Sequence, residues 1–160
     1  RIQRQFPGSV VIANDEDIKK HSKKYFVPAD NVVTLATLFS TRDLWDEWTT
    51  ILLGDVKYGN DTINKINTQQ TPLMFYGDKG EIYAFKFHIT HSFMIIHAIS
   101  RIVNSPLFEK KYGKLWNLYR VLNNFDYRKH QIGNYFTFVN DCTDFDNKKQ
   151  YLKYAKSKQI

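Results

Sequence analysis

The sequence predicts a mainly α domain, a helix-turn-helix-like helical bundle with an inserted β-hairpin and helix. Three observations carry this reading. Ser40-Thr41-Arg42-Asp43 has the form of a capping box, and Leu44, Trp45, Trp48, Ile51 and Leu52 follow at the spacing of one helical face. Ser105-Pro106 places a capping residue before a proline at a first helical position, ahead of an apolar face of Leu115, Trp116, Tyr119 and Leu122. Phe125, Ile132, Phe136 and Val139 share one stripe when the chain advances about 100° per residue.

The elements follow in order. A helix carrying Lys19, Lys20, Lys23 and Lys24 starts after Asn14 or Asp15, and Pro28-Ala29-Asp30 breaks the chain. Asp30 or Asn31 caps a short helix with Val32, Val33, Leu35, Ala36, Leu38 and Phe39. The capping-box helix runs on to Gly54, a natural stop. Residues 55–71 are polar and read as a loop or a weak helix. Leu73–Tyr76 and Glu81–Phe87 flank Gly77-Asp78-Lys79-Gly80 and read as a hairpin, with a helix from Ile82 onward as the alternative that periodicity leaves open. Ser92–Val103 is apolar on nearly all sides, as expected of a buried helix. Leu107–Tyr112 forms a short helix ended by Gly113, and Asn123 or Asn124 caps a last one from Phe125.

A single domain covers residues 1–160. Its parts are an N-terminal extension (1–30), a helical core (31–54 and 105–139), an insertion (55–104) and a basic C-terminal segment (140–160). Hydrophobic residues at 42% and aromatic residues at 16% supply enough apolar material for a core, which excludes disorder throughout. Cys142 is the only cysteine, so an internal disulfide framework and a multi-cysteine zinc site are excluded, and a reducing compartment is the simplest reading. The most apolar stretch, Phe93–Ile99, is too short to span a bilayer and contains His97. A chain beginning at Arg1 without a secretory leader reads as a fragment of a longer protein.

The formal net charge of +7 favours a polyanionic partner. On the Phe125 helix the stripe leaves Tyr127, His130, Gln131 and Asn134 opposite the core, flanked by Arg128 and Lys129. Arg, Lys, His, Gln and Asn carry the charge for phosphates and the donors and acceptors for base edges in a major groove. The candidate DNA-binding set is therefore Arg128, Lys129, His130, Gln131 and Asn134. Lys148, Lys149 and Lys153 join it as a phosphate-binding strip whose apolar side is Tyr151, Leu152, Tyr154 and Ala155. An ordinary solvated face and a frayed tail are the plain alternatives.

Thr41–Thr49 resembles the opening signature of the fungal Gcr-type DNA-binding domain, the C-terminal domain family of a yeast activator of glycolytic genes. The resemblance rests on the pair Trp45 and Trp48 with Asp46 and Glu47 between them. Ser105–Trp116, with its Tyr112-Gly113 step before Trp116, is similar to the second block of that family, and Phe125–Ile132 to its third. The first two blocks lie closer together in ordinary members, which makes residues 55–104 an insertion. The resemblance implies a three-helix core packed by Trp45, Trp48 and Trp116. It also implies duplex DNA as a partner, a nuclear location, and a place in transcription regulation or in a chromatin assembly. The family includes the C-terminal part of the large DNA-binding subunit of the budding-yeast centromere-binding factor, so other kinetochore or chromatin proteins are implied partners. A homodimer through the parent chain is compatible with it. The rival reading is a protein-interaction or dimerisation module that has lost DNA binding.

His88, His91 and His97 offer two ligands at helical spacing but no convincing third, so no metal or other cofactor is expected. Asp141, Asp144 and Asp146 around Cys142 lack the glycine and terminal glutamate of a calcium loop and read as a solvated turn. No phosphate-binding glycine loop, Gly-x-Ser-x-Gly elbow or His-Glu-x-x-His is present, so the chain is read as a non-enzyme.

Overall fold

A computed structural model describes residues 6, 8–13, 16–20, 22–30, 32–106, 109–126, 129–145, 150, 152 and 153. Its elements in chain order are β1 (Val11–Ile12), α1 (Glu16–Lys20), β2 (Tyr25–Phe26), α2 (Thr34–Ser40), β3 (Trp48–Leu52), β4 (Val56–Lys57), α3 (Asn60–Thr68), β5 (Leu73–Gly77), β6 (Ile82–His88), α4 (Ser92–Val103), α5 (Leu115–Leu122), β7 (Phe136–Phe138) and β8 (Thr143–Asp144). The fold is mixed α/β, and the mainly helical bundle expected from the sequence is corrected on this point.

A four-stranded sheet in the order β3-β6-β5-β7 organises the chain. β5 and β6 form the expected antiparallel hairpin, with Phe75 opposite Phe85 and Leu73 opposite Phe87. Its turn is tied by Asp78, whose Oδ1 accepts from the Gly80 and Glu81 N–H groups (2.6 and 2.9 Å) and whose Oδ2 accepts from the Tyr83 hydroxyl (2.6 Å). A Cβ at Gly77 would lie 2.2 Å from the Glu81 carbonyl oxygen, so this close strand approach requires glycine. β3 pairs antiparallel with β6, and β7 pairs parallel with β5. Two short ribbons, β1-β2 and β4-β8, lie outside this sheet.

Both faces of the sheet are covered. On one, Ile95, Ala98, Ile99 and Ile102 of α4 and Leu115, Leu118, Tyr119 and Leu122 of α5 recur at i, i+3, i+4, i+7 and pack with Leu35 and Leu38 of α2 on Leu73, Phe75, Phe85 and Phe87. On the other, Tyr76, Tyr83, Ala84 and Val139 pack with Val56, Tyr58 and Ile66. The Tyr58 hydroxyl donates to the Tyr83 carbonyl (2.6 Å). Burial pushes that phenol's pKa far up, so it stays a donor at any ordinary pH. Lys86 Nζ donates to the carbonyls of Ile66 (3.0 Å) and Gln69 (2.9 Å) and so satisfies the C-terminal end of α3.

Asp141 holds the other end of α3. Its carboxylate accepts from the Asp61 N–H (3.0 Å), the Thr62 N–H (3.3 Å) and the Thr62 hydroxyl. The expected solvated turn is therefore a helix cap supplied from far along the chain. Partial burial pushes this carboxyl up, but the bonds from Thr62 and Asp61 outweigh it and hold it below its ordinary 3.8.

The helix expected over Leu44–Leu52 is instead a 3₁₀ turn, Arg42–Leu44, followed by β3. The capping box is not used as one: Ser40 closes α2, donating to the Ala36 carbonyl (3.0 Å) and accepting from the Asp30 N–H (3.2 Å). The Asp46 N–H donates to Thr49 Oγ1 (3.0 Å) and the Glu47 N–H to Asp46 Oδ1 (2.8 Å), local bonds that compete with a helix. Trp48, Thr49, Thr50 and Ile51 are aromatic or β-branched and suit a strand. Among the described residues the helix expected from Phe125 is also absent: residues 129–135 are irregular and lead into β7. Asn124 and Tyr135 sit at φ 60°, which no right-handed helix accommodates. Ile132 and Phe136 pack on one side of the sheet and Val139 on the other, so the supposed stripe is divided between two cores. α4 matches its expected bounds but is not buried all round, since Phe93 is 85% exposed.

Two outcomes follow. Phe85→Ala, removing a fully buried ring, is expected to lower unfolding free energy by about 3–5 kcal/mol in urea titrations, while Trp48→Ala at the sheet edge costs under about 1.5 kcal/mol. A depressed folded-state pKa contributes stability that is present above the ordinary value and lost as pH falls through the folded one. Asp141→Asn is therefore expected to reduce stability at neutral pH and to flatten its decline below about pH 4, measured by urea midpoints at stepped pH.

Candidate nucleic-acid interface

After α5 the described residues 123–126 and 129–135 are irregular but well tied, and they lead back to the sheet at β7. The Phe125 N–H donates to the Arg120 carbonyl (2.8 Å) and the Lys129 N–H to the Asp126 carbonyl (3.0 Å). The Gly133 N–H donates to the Tyr119 hydroxyl (2.7 Å), and the Tyr135 carbonyl accepts from the Phe75 N–H (2.8 Å). The Phe125 ring lies where a Gly133 side chain would begin, 2.6 Å from a built Cβ. The glycine that weakens a helix here is what lets the loop close.

An aromatic stack supports the loop from beneath. Trp116 donates through Nε1 to the Gly80 carbonyl (3.0 Å), which fixes it to the hairpin turn. Phe136 stacks on it at 5.3 Å, and the His130 ring meets it edge-on at 5.1 Å. Arg120 lies 5.4 Å from the Trp116 ring centre and reaches His130 Nδ1 (3.3 Å) through a guanidinium nitrogen. Arginine only donates, so Nδ1 accepts and the imidazole proton sits on Nε2. Partial burial pushes the guanidinium's pKa down, against the pull of Asp126.

Lys129, His130, Gln131 and Asn134 are all exposed on this loop. Tyr135, next to Asn134 in the chain, is 41% exposed, and Phe138 at the end of β7 is 53% exposed. Arg128, Lys148 and Lys149 lie outside the described residues, and Lys153 is exposed. Of the three tryptophans, Trp116 is buried, Trp45 is half-buried with its ring 5.0 Å from Phe87, and Trp48 is exposed at the sheet edge beside His88. The described members of the Phe125 set are thus all exposed on one irregular stretch of chain, without a helix. Sequence reading missed Arg120, Tyr135 and Phe138, although the alternation in Tyr135-Phe136-Thr137-Phe138 carried a strand signal.

Thr90 Oγ1 lies 3.0 Å from His88 Nδ1 and 3.2 Å from His91 Nδ1, and His97 stands exposed on α4. Among the described residues no three potential metal ligands come together. Burial pushes the Cys142 thiol up, and its Sγ faces Thr62 Oγ1 at 3.5 Å. Among the described residues no helix is long and apolar enough to cross a membrane.

No family model, curated protein or solved structure matches the chain.

Tyr119→Phe removes the acceptor for the Gly133 N–H. A loss of about 1 kcal/mol in unfolding free energy is expected, with faster amide exchange at Gly133 and unchanged exchange in β6, read by heteronuclear NMR.

Proposed function

We propose that this chain is a nucleic-acid-binding module whose contact surface is the Lys129–Tyr135 loop and the adjoining strand β7. The observation that carries the reading is the co-exposure of Lys129, His130, Gln131 and Asn134 together with two open aromatic rings on a backbone tied at Tyr119 and Phe75. Lys129 supplies positive charge to a phosphate. Gln131, Asn134 and the Nε2–H of His130 supply donors and acceptors for base edges. Tyr135 and Phe138 offer faces on which unpaired bases stack. The chain's net charge of +7 draws the polyanion in.

The geometry favours single strands or unpaired bases over the major groove of a duplex. Groove reading uses a helix or a two-stranded ribbon, and this loop is neither, whereas exposed rings on an irregular segment suit splayed bases. The nuclear, chromatin-bound setting belongs to the same proposal and is supported only by the sequence resemblance.

The test is fluorescence anisotropy with one labelled oligodeoxynucleotide, single-stranded and as its duplex, across a salt series. The logarithm of affinity is expected to fall linearly with the logarithm of salt concentration, with Lys129→Gln reducing the slope by about 1. Phe138→Ala is expected to weaken the single strand by about 1–3 kcal/mol and to leave the duplex unaffected. Absence of binding at low salt, or indifference of the single strand to both substitutions, contradicts the proposal.

A further inference from the structure

At the opposite edge of the sheet from β7, β3 has, among the described residues, a strand partner only on its β6 side. The register puts Trp48 opposite His88, Thr50 opposite Lys86 and Leu52 opposite Ala84. The Leu53 N–H bonds the Tyr83 carbonyl and the Ile89 N–H the Glu47 carbonyl, so the odd-numbered residues from Glu47 to Leu53 face β6. The backbone N–H and C=O groups of Trp48, Thr50 and Leu52 therefore point away from the sheet. Natural edges are blunted by lysine, proline, bulges or brevity, and Trp48-Thr49-Thr50-Ile51-Leu52 is a five-residue strand in continuous register with none of these.

A groove of about 410 Å³ runs along this edge, and Val10, Val11 and Ile12 form its far wall. There the Val11 and Ala13 N–H groups bond the Lys24 and Phe26 carbonyls of the β1-β2 ribbon, which turns the N–H and C=O of Ile12 to the other side. A slot bounded by two strand edges admits a lone extended chain and obstructs the edge of another sheet. Its rim is acidic where β3 begins. Asp46 lines the groove there, and Asp43 and Glu47 are exposed next to it in the chain; among the described residues the basic side chains near them are Arg42, 3.9 Å from Asp43, and His88, 3.8 Å from Glu47. Lys86 Nζ lies 5.1 Å from the Trp48 ring centre but is held by the carbonyls at the end of α3.

We infer that this groove docks an extended peptide that adds to β3 as an antiparallel strand. Its alternate small apolar residues face the slot, and its C-terminal end carries lysine or arginine beside Asp43, Asp46 and Glu47. Backbone bonds to Trp48, Thr50 and Leu52 hold the peptide, and the acidic rim sets its direction. A second copy of this chain fits less well, because antiparallel β3–β3 pairing brings Asp46 and Glu47 of each copy toward Asp55 of the other.

The probe is a fluorescent, end-blocked peptide alternating valine and threonine with two lysines at its C-terminal end, added to the full chain. Saturable anisotropy is expected. Amide exchange is expected to slow at Trp48, Thr50 and Leu52 and to stay unchanged at Thr49 and Ile51, whose N–H groups already bond β6. Replacing the two lysines by glutamates, or making the D43K/E47K double variant, is expected to weaken binding by about tenfold or more. No saturable binding, protection outside the alternate β3 amides, or affinity indifferent to both charge reversals overturns the inference. Protection of the same three amides without peptide, rising with protein concentration, overturns it in favour of self-pairing.

Discussion

The burial of β6 on both faces is the constraint on which the rest of the structure depends. Ile82, Tyr83, Ala84, Phe85 and Phe87 are all buried, so the strand needs cover above and below before its apolar surface leaves water. Phe85 stacks between Phe75 and Phe87 at 5.0 and 5.5 Å, and that aromatic row forms the floor on which α2, α4 and α5 pack. The opposite face requires the Tyr58, Ile66 and Tyr76 cluster, and through it α3 and the β4-β8 ribbon. The polar bonds on that side, from Tyr58 to Tyr83 and from Asp141 to α3, keep the second layer in place.

The same sheet sets the position of the loop. Parallel addition of β7 to β5 brings the chain back beside the hairpin turn, where Trp116 already bonds Gly80. Phe136 then completes the stack between Trp116 and Tyr119, and the residues just before it turn outward as the Tyr135 carbonyl meets Phe75. The two proposed contact surfaces thus lie at the two edges of one sheet. The β7 edge carries cationic, amide and aromatic side chains, and the β3 edge carries backbone groups and an acidic rim.

Local signals in the sequence reported local structure well. The hairpin was legible because two aromatic runs enclose Gly77-Asp78-Lys79-Gly80, whose turn is closed by bonds among near neighbours. α4 and α5 were legible because their apolar residues keep a helical period over two turns or more. β3 was not, since Leu44, Trp45, Trp48, Ile51 and Leu52 fit a helical face while Trp48, Thr50 and Leu52 also alternate as a strand. Pairing with β6, far along the chain, decides between them. The Phe125–Val139 segment misled for the same reason, because its partners are β5 and Tyr119 rather than its own neighbours. Lys129, His130, Gln131 and Asn134 are exposed even without the expected helix, since exposure depends on side-chain chemistry more than on backbone form. Asp141 was misread because the helix it caps lies far away in sequence.

The most direct test of the central claim is a nuclear Overhauser spectrum of the full chain over residues 44–52 and 82–88. In the sheet described here, Thr50 faces Lys86 and Leu52 faces Ala84 as pairs that exchange no backbone hydrogen bonds with one another, the arrangement in which α-protons lie closest. Strong contacts between the α-protons of Thr50 and Lys86, and of Leu52 and Ala84, are the predicted result. Contacts from α-protons to amides three residues on, running from Leu44 to Leu52, would mean a helix there and would contradict the account.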